Sequence, residues 1–154
     1  DFTYLFLANH EVRYNCTIID LHDRSVIANI TDRNITSDLA IRTLRKALES
    51  QPTIKEGLIL HSDQGSQYTS KAFTEFCESV NVTQSMSKAG YPYDNAPMER
   101  YFNTLKNECT NLYEFTTEET LYQKVEEFAY VDYNHVRPHS YNGYRTPYEA
   151  RTAA

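Results

Sequence analysis

Leu58-Ile59-Leu60-His61-Ser62-Asp63-Gln64-Gly65-Ser66 is a short apolar run that ends on a carboxylate and passes into small polar residues. A run of this length suits a central strand buried on both faces. Asp63 then stands at the C-terminal end of a buried strand, where sites collect in open α/β sheets. Further on, Asp94-Asn95-Ala96-Pro97-Met98-Glu99-Arg100 opens a long helix, Ala96 to about Leu112. Pro97 falls in its first turn, where proline is tolerated. Met98, Phe102, Leu105, Cys109 and Leu112 recur at helical spacing and form its buried stripe. Glu99 lies about 100° round from that stripe, at the border of core and solvent. Asn103 and Lys106 share its flank.

Before this stretch, Phe2–Ala8, Arg13–Ile19 and Ser25–Thr31 read as three strands, with Val26, Ala28 and Ile30 alternating in the third. Their short connections predict an antiparallel meander. Thr36–Ser50 reads as a helix, with Ser37 as candidate cap and Pro52 as its stop. Ser70–Val80 is helical, with Phe73, Phe76, Cys77 and Val80 on one side. Val82–Met86 is a fifth strand, and Ser87–Asn95, with Gly90 and Pro92, reads as a mobile loop. Thr116 and Glu119 fit a capping box for a last long helix to about Asn134, whose core face holds Leu121, Val125, Phe128 and Ala129. A short helix is expected near Pro147–Arg151. This order specifies an α/β layer protein with a mixed sheet.

The 154 residues suit one domain with a single core. A net charge of −6 argues against a protein whose whole surface grips nucleic acid. It leaves room for a nucleic-acid enzyme, because a carboxylate-built metal site is itself acidic. No run of about 18 apolar residues exists to cross a membrane, and Asp1-Phe2-Thr3-Tyr4 lacks the marks of a signal peptide. The chain does not start with Met and reads as a fragment of something longer. Cys16, Cys77 and Cys109 are isolated, as expected of buried thiols in a reducing compartment, and the lack of a Cys-x-x-Cys pair argues against a cysteine-built zinc site.

Asp63 and Glu99 together suggest chemistry. A strand-end Asp paired with a helix-flank carboxylate is how phosphoryl-transfer enzymes hold Mg²⁺. Such a site needs a third carboxylate, and patterning offers Asp1, Asp20 and Asp23 without choosing among them. His61 suits an orienting or packing role. His135 and His139 have ligand spacing, but Pro138 lies between them and no companion acid or thiol is near. Lys88, Arg100 and Lys106 are placed to meet phosphates. Tyr68, Tyr91 and Tyr93 are the tyrosines to test for base stacking.

Four ordered blocks then carry a resemblance: His61-Ser-Asp-Gln-Gly-Ser-Gln-Tyr-Thr-Ser70, Ser85-Met-Ser87, Gly90-Tyr-Pro-Tyr-Asp-Asn-Ala-Pro-Met-Glu99 and Leu105-Lys-Asn-Glu108. With Tyr133-Asn134, Arg137, His139, Gly143-Tyr144 and Thr146-Pro147, they resemble the integrase catalytic core of bacterial insertion-sequence transposases. These are relatives of retroviral integrases in the Asp-Asp-Glu superfamily. The resemblance spans essentially all of residues 1–154, as one catalytic core domain of a longer transposase whose DNA-binding N-terminal region is missing here.

The interval between Asp63 and Glu99, 99 − 63 − 1 = 35 residues, is that family's spacing. The resemblance implies an RNase H-like fold, a five-stranded mixed sheet flanked by helices. It implies metal-dependent cleavage of DNA 3′ ends and strand transfer into target DNA. Asp1-Phe2-Thr3 matches the family's first-strand segment, so the resemblance selects Asp1 with Asp63 and Glu99 as catalytic residues and as ligands of two Mg²⁺ or Mn²⁺ ions. Lys106 matches a basic position that contacts the DNA end, and Asn95 lies in the Asp-Asn-Ala element. Arg100, Lys88 and Tyr93 complete the expected DNA contacts. A homo-oligomer on paired DNA ends, in a bacterial cytoplasm at the nucleoid, is the implied setting. Two departures stand out: the residues that usually precede Asp1, among them a Trp, are absent, and Arg100-Tyr101 replaces a small residue and Phe. The alternatives are a nuclease of the same fold without joining activity, and a non-catalytic binding or assembly fragment.

Overall fold

A computed structural model of the chain describes residues 1–53 and 57–153. Three strands form the expected meander: β1 (Phe2–Phe6), β2 (Val12–Ile19) and β3 (Val26–Asp32), antiparallel throughout. Phe2 pairs with Cys16 and Tyr14 with Asp32, and the β2–β3 register shifts between Ile18 and Ile19. A helix, α1 (Ser37–Ser50), follows. Its cap is Thr36 rather than Ser37: the Thr36 side chain accepts the Leu39 N–H, so Ser37 is already inside the first turn.

A second ladder joins β4 (Ile59–Ser62) to β5 (Thr83–Met86) in parallel. Between them lie one helical turn, α2 (Ser66–Thr69), and α3 (Lys71–Ser79), which Ser70 caps. The expected five-stranded sheet is thus found as two ladders, of three and two strands. A groove lined by Thr17–Leu21 and Leu58–Ser62 lies between the ladders. This also corrects the reading of Leu58–Leu60 as buried on both faces: Ile59 is 65% exposed, because its strand lies at an edge.

Apolar side chains fill two cores. On one side Leu5 and Leu7 pack with Val26 and with the later helices through Met98, Phe102, Leu105, Leu121 and Val125. On the other, Phe2 and Ile18 pack with Ala40, Leu44, Tyr68, Phe73 and Cys77. All three cysteines are buried and free. Burial lifts the Cys77 and Cys109 thiols to about 11.

The long helix, α4 (Ala96–Glu108), is shorter than its periodicity predicts. The chain breaks at Cys109, passes through a 3₁₀ turn at Thr110–Leu112, and returns to β1, where Ala8 N–H donates to Phe115 O. Leu112 is therefore exposed. The last long helix begins as α5 (Glu118–Glu127), capped by Thr117 rather than Thr116, and continues as a wider π-helical segment, Phe128–Val136. There Phe128, Ala129 and Tyr133 keep the core face. Tyr130 OH accepts from Asn29 N–H, and the Asn134 amide bonds both backbone groups of Val26.

Glu118, at the start of α5, receives Arg33 and Arg13, and Arg33 above all holds its carboxyl down to about 2. That ties α5 to β2 and to the end of β3. The chain ends in α6 (Pro147–Thr152), which carries a full capping box of Thr146 and Glu149.

Tyr101, at the place where Phe is common in the resembling family, is fully buried, and its hydroxyl has no partner among the described residues. A buried hydroxyl without a hydrogen bond costs about 1–3 kcal/mol. Tyr101→Phe is expected to stabilise the chain by about 1 kcal/mol and raise Tm by about 2–4 °C in a thermal melt. An unchanged or lower Tm would show that the hydroxyl is satisfied.

Candidate active site

The site is set where β1 begins and β4 ends. Asp1 extends the β1–β2 ladder by one pair: its N–H group donates to Thr17 O and its carbonyl accepts from Thr17 N–H, both at 2.9 Å. Asp63 follows β4 directly, and its backbone N–H donates to Asp1 Oδ1 at 3.1 Å. Two of the three expected acids are thus in contact. Asp63 Oδ1 accepts the Gly65 N–H at 2.8 Å. This close approach requires glycine: a Cβ at residue 65 would lie 2.9 Å from that oxygen and push the carboxylate aside. The sequence marks Gly65 as a small turn residue and as part of the His61–Ser70 block, without assigning it this role.

Glu99 lies in the first turn of α4, exposed, with no hydrogen-bond partner among the described residues. It lines the same cleft as Asp1, Asp63, Ser87, Lys88, Tyr91 and Asn95. It does not meet the other two acids. Among the described residues no three Asp, Glu, His or Cys side chains converge on one point. The donor chemistry nevertheless fits a hard divalent cation, which takes carboxylate oxygens. Asp63 Oδ2 and both Glu99 oxygens have no partner among the described residues.

Asn95 lies at the entry to α4, and its Nδ2 donates to Asp1 Oδ2. In the structure it faces an acid rather than open solvent. Its loop is tethered at both ends. Ser87 N–H donates to Ser62 O, and Lys88 N–H donates to Asp94 Oδ2. The His61 ring spans two hydroxyls, with Nδ1 on Ser85 and Nε2 on Ser87, each at 2.9 Å. Gln64 Nε2 donates to Ser87 O. His61 therefore orients the acid loops as a packing residue. Pro92–Asn95 forms a 3₁₀ turn within the segment that reads as a loop.

Asp20, which patterning could not separate from Asp1, is held elsewhere. Its carboxylate meets Arg151 at 3.0 Å and the His22 N–H. Asp23 is buried and also bound by Arg151, at 2.7 Å. Of the basic residues, Lys88 lines the acid cleft, and Arg100 is exposed one residue past Glu99. Lys106 lies in a separate depression with Tyr4, Phe6 and Tyr113. Tyr93 is 88% exposed and Tyr91 also protrudes, whereas Tyr68 is buried against Phe73 and Phe2 and cannot stack on a base. His135 packs on Tyr148 and His139 meets Tyr133 edge to face, so each ring is engaged with a different tyrosine.

With this geometry in place, comparison with known proteins is decisive. The family model of the integrase core domain matches residues 1–92, and a second integrase core model matches residues 80–147. The chain belongs to the integrase core domain family. This integrase core is 34% identical over 147 residues to the transposase InsF for insertion sequence IS3A of Escherichia coli K12, covering 96% of the chain and 50% of that protein. It is 35% identical over 134 residues to an uncharacterised 31 kDa protein of insertion element IS600 from Shigella sonnei, covering 87% and 49%. The chain thus spans about half the length of these relatives. Among solved structures, the HTLV-2 integrase catalytic core domain in complex with magnesium (trimeric form) shares its fold. The TM-score is 0.67 at 18% identity, over 97% of this chain and 91% of that one. The fold is therefore that of integrase catalytic cores, the RNase H-like α/β architecture that the motifs imply. Among the described residues no helix is long and apolar enough to cross a membrane.

Proposed function

We propose that this chain is the catalytic core of an insertion-sequence transposase, which cuts the 3′ ends of its element and joins them to target DNA. One observation carries the reading: the Asp63 amide rests on the Asp1 carboxylate in the cleft that Glu99 also lines. Two Mg²⁺ or Mn²⁺ ions held by Asp1, Asp63 and Glu99 would supply Lewis-acid activation of the attacking oxygen and neutralise charge at the phosphate. The chain's own residues set the stage for that chemistry. Gly65 and Asn95 hold the two aspartates, and His61 with Gln64 fixes the loop beside them. No Ser or Cys nucleophile is required, because water and then a DNA 3′-hydroxyl attack in line.

Lys88, Arg100 and Lys106 would meet phosphates, Tyr93 would stack on a base, and Asn95 would contact the DNA end once released from Asp1. A homo-oligomer on paired ends, acting at the nucleoid in the bacterial cytoplasm, belongs to the same reading. So does the five-stranded sheet: an extended segment seated between β2 and β4 would unite the two ladders.

The reading is tested with labelled duplexes that end in the element's terminal repeats. The chain is expected to nick them and join them to a second duplex only with Mg²⁺ or Mn²⁺. Cleavage without joining would instead identify a nuclease. Lys106→Ala should weaken binding of the end duplex several-fold while leaving Mn²⁺ titration by calorimetry unchanged. Equal loss of both would remove Lys106 from the DNA contact.

A further inference from the structure

The charge of −6 conceals an uneven surface. Most basic side chains are consumed by acids: Arg13 and Arg33 by Glu118, Arg137 by Glu108, Arg151 by Asp20 and Asp23. Among the described residues Arg24, Arg45, Lys88, Arg100, Lys106 and Arg145 make no ion pair. Arg45 lies over Phe76. Lys88, Arg100 and Lys106 are already assigned to the DNA contact proposed above, Lys88 in the acid cleft and Lys106 in its separate depression. Arg24 and Arg145 are not, and they share one surface.

That surface is built by two segments. The turn after β2 ends on Arg24, whose guanidinium lies 4.0 Å above the exposed Tyr141 ring. The loop 139–145 is pinned to this turn by Asn142, which is buried and donates through Nδ2 to Asp23 O at 2.8 Å. The loop closes on itself, with His139 N–H on Arg145 O and Tyr144 N–H on His139 O. Arg24 and Tyr144 both hold positive φ, +66° and +68°, a backbone state costly for residues with side chains. The result is a platform that presents Tyr141, Tyr144 and Arg145 to solvent, with the half-buried Arg24 stacked on Tyr141 and Arg145 Nε donating to Asn142 O at 3.3 Å. Burial first, and then Arg137, Arg24 and Arg100, lower the pKa of His139 at the platform's centre.

We propose that this platform is a second nucleic-acid surface, which grips duplex phosphates beside the acid cleft. The proposal rests on the transposase reading and extends it to residues outside the cleft. Cations freed from acids, next to exposed tyrosine hydroxyls, are the groups that bind DNA backbone without reading sequence. Arginine stacked on an aromatic ring is held ready at little entropic cost.

The test is the salt dependence of binding to a duplex of unrelated sequence, read by fluorescence anisotropy. The double variant Arg24→Gln with Arg145→Gln is expected to bind more weakly and to lose about 1.8 from the slope of log K against log salt, about 0.9 for each phosphate contact removed. The loss should be the same for element-end and unrelated duplexes. Arg24→Lys with Arg145→Lys should recover most of the slope, which a purely structural role would not predict. Circular dichroism and the Mn²⁺ titration should be unchanged. An unaltered slope in a folded double variant overturns the proposal, as does loss of self-association in sedimentation with DNA binding intact, since the platform would then be a protein contact. A wild-type chain that binds duplex with the full slope but never cuts it would sink the transposase reading and leave the platform standing. One that binds no duplex removes both.

Discussion

Asp63→Asn and Glu99→Gln are each expected to abolish cleavage and joining, by on the order of 10³-fold or more, while the fold stays intact. Transition-state charge stabilisation of about 4 kcal/mol corresponds to that factor. The structure separates this loss from misfolding. Asparagine at 63 keeps an oxygen to accept the Gly65 N–H, and the Asp63 backbone N–H that rests on Asp1 is untouched. Glu99 is exposed and makes no hydrogen bond among the described residues, so its amide analogue disturbs nothing around it. Removing a negative charge from beside Asp1 also relieves repulsion in the metal-free chain, so thermal stability should hold or rise. Mn²⁺ titration should lose its binding heat in both variants. Product formation at near wild-type rates by either one would end the three-carboxylate mechanism.

The second large effect lies away from the cleft. Arg151→Met is expected to cost about 3–5 kcal/mol, because it strips the counter-charge from a buried carboxylate. Asp23 has 1% of its side chain exposed, and Arg151 Nη1 is its cationic partner at 2.7 Å. The same guanidinium reaches Asp20 and Ser25 Oγ, and its second nitrogen donates to Gln51 at the end of α1. One side chain thereby fastens α6 to α1 and to the turn after β2. Urea unfolding should show the loss as a lower midpoint. A cycle with Asp23→Asn separates the pair from its surroundings: most of the cost should disappear when Asp23 is already neutral. A loss below about 1 kcal/mol in the single variant, the range of an exposed pair, would show that Asp23 finds another partner.

Asp20 and Asp1 illustrate how far reading a chain in one dimension extends. Both are acids at strand ends, and spacing cannot rank them. Contacts separate them: Asp20 is paired with Arg151, more than a hundred residues away, whereas Asp1 accepts the Asp63 N–H, which supports the proposed choice of Asp1. Leu112 and Ile59 show a related limit. Each is apolar at the right period, yet each is exposed, because a break at Cys109 and an open strand edge fall outside local pattern. Thr36 and Thr117 displaced the expected caps by one residue, a shift that backbone geometry alone settles.

What the amino-acid sequence determined by itself was the class of structure, and it nominated the acids proposed for the site. Alternating and helical periodicities are local properties, and they placed the meander, the strand before Asp63 and the helix that carries Glu99. The resemblance to integrase cores added Asp1 as the proposed third acid. What only the tertiary structure decided was which groups touch. The Asp63 amide on the Asp1 carboxylate, the His61 clamp on Ser85 and Ser87, the Arg151 fastening and the pairing of Arg24 with Tyr141 all join residues distant in the chain. Such contacts depend on where separate elements end in space, and no local pattern carries that information.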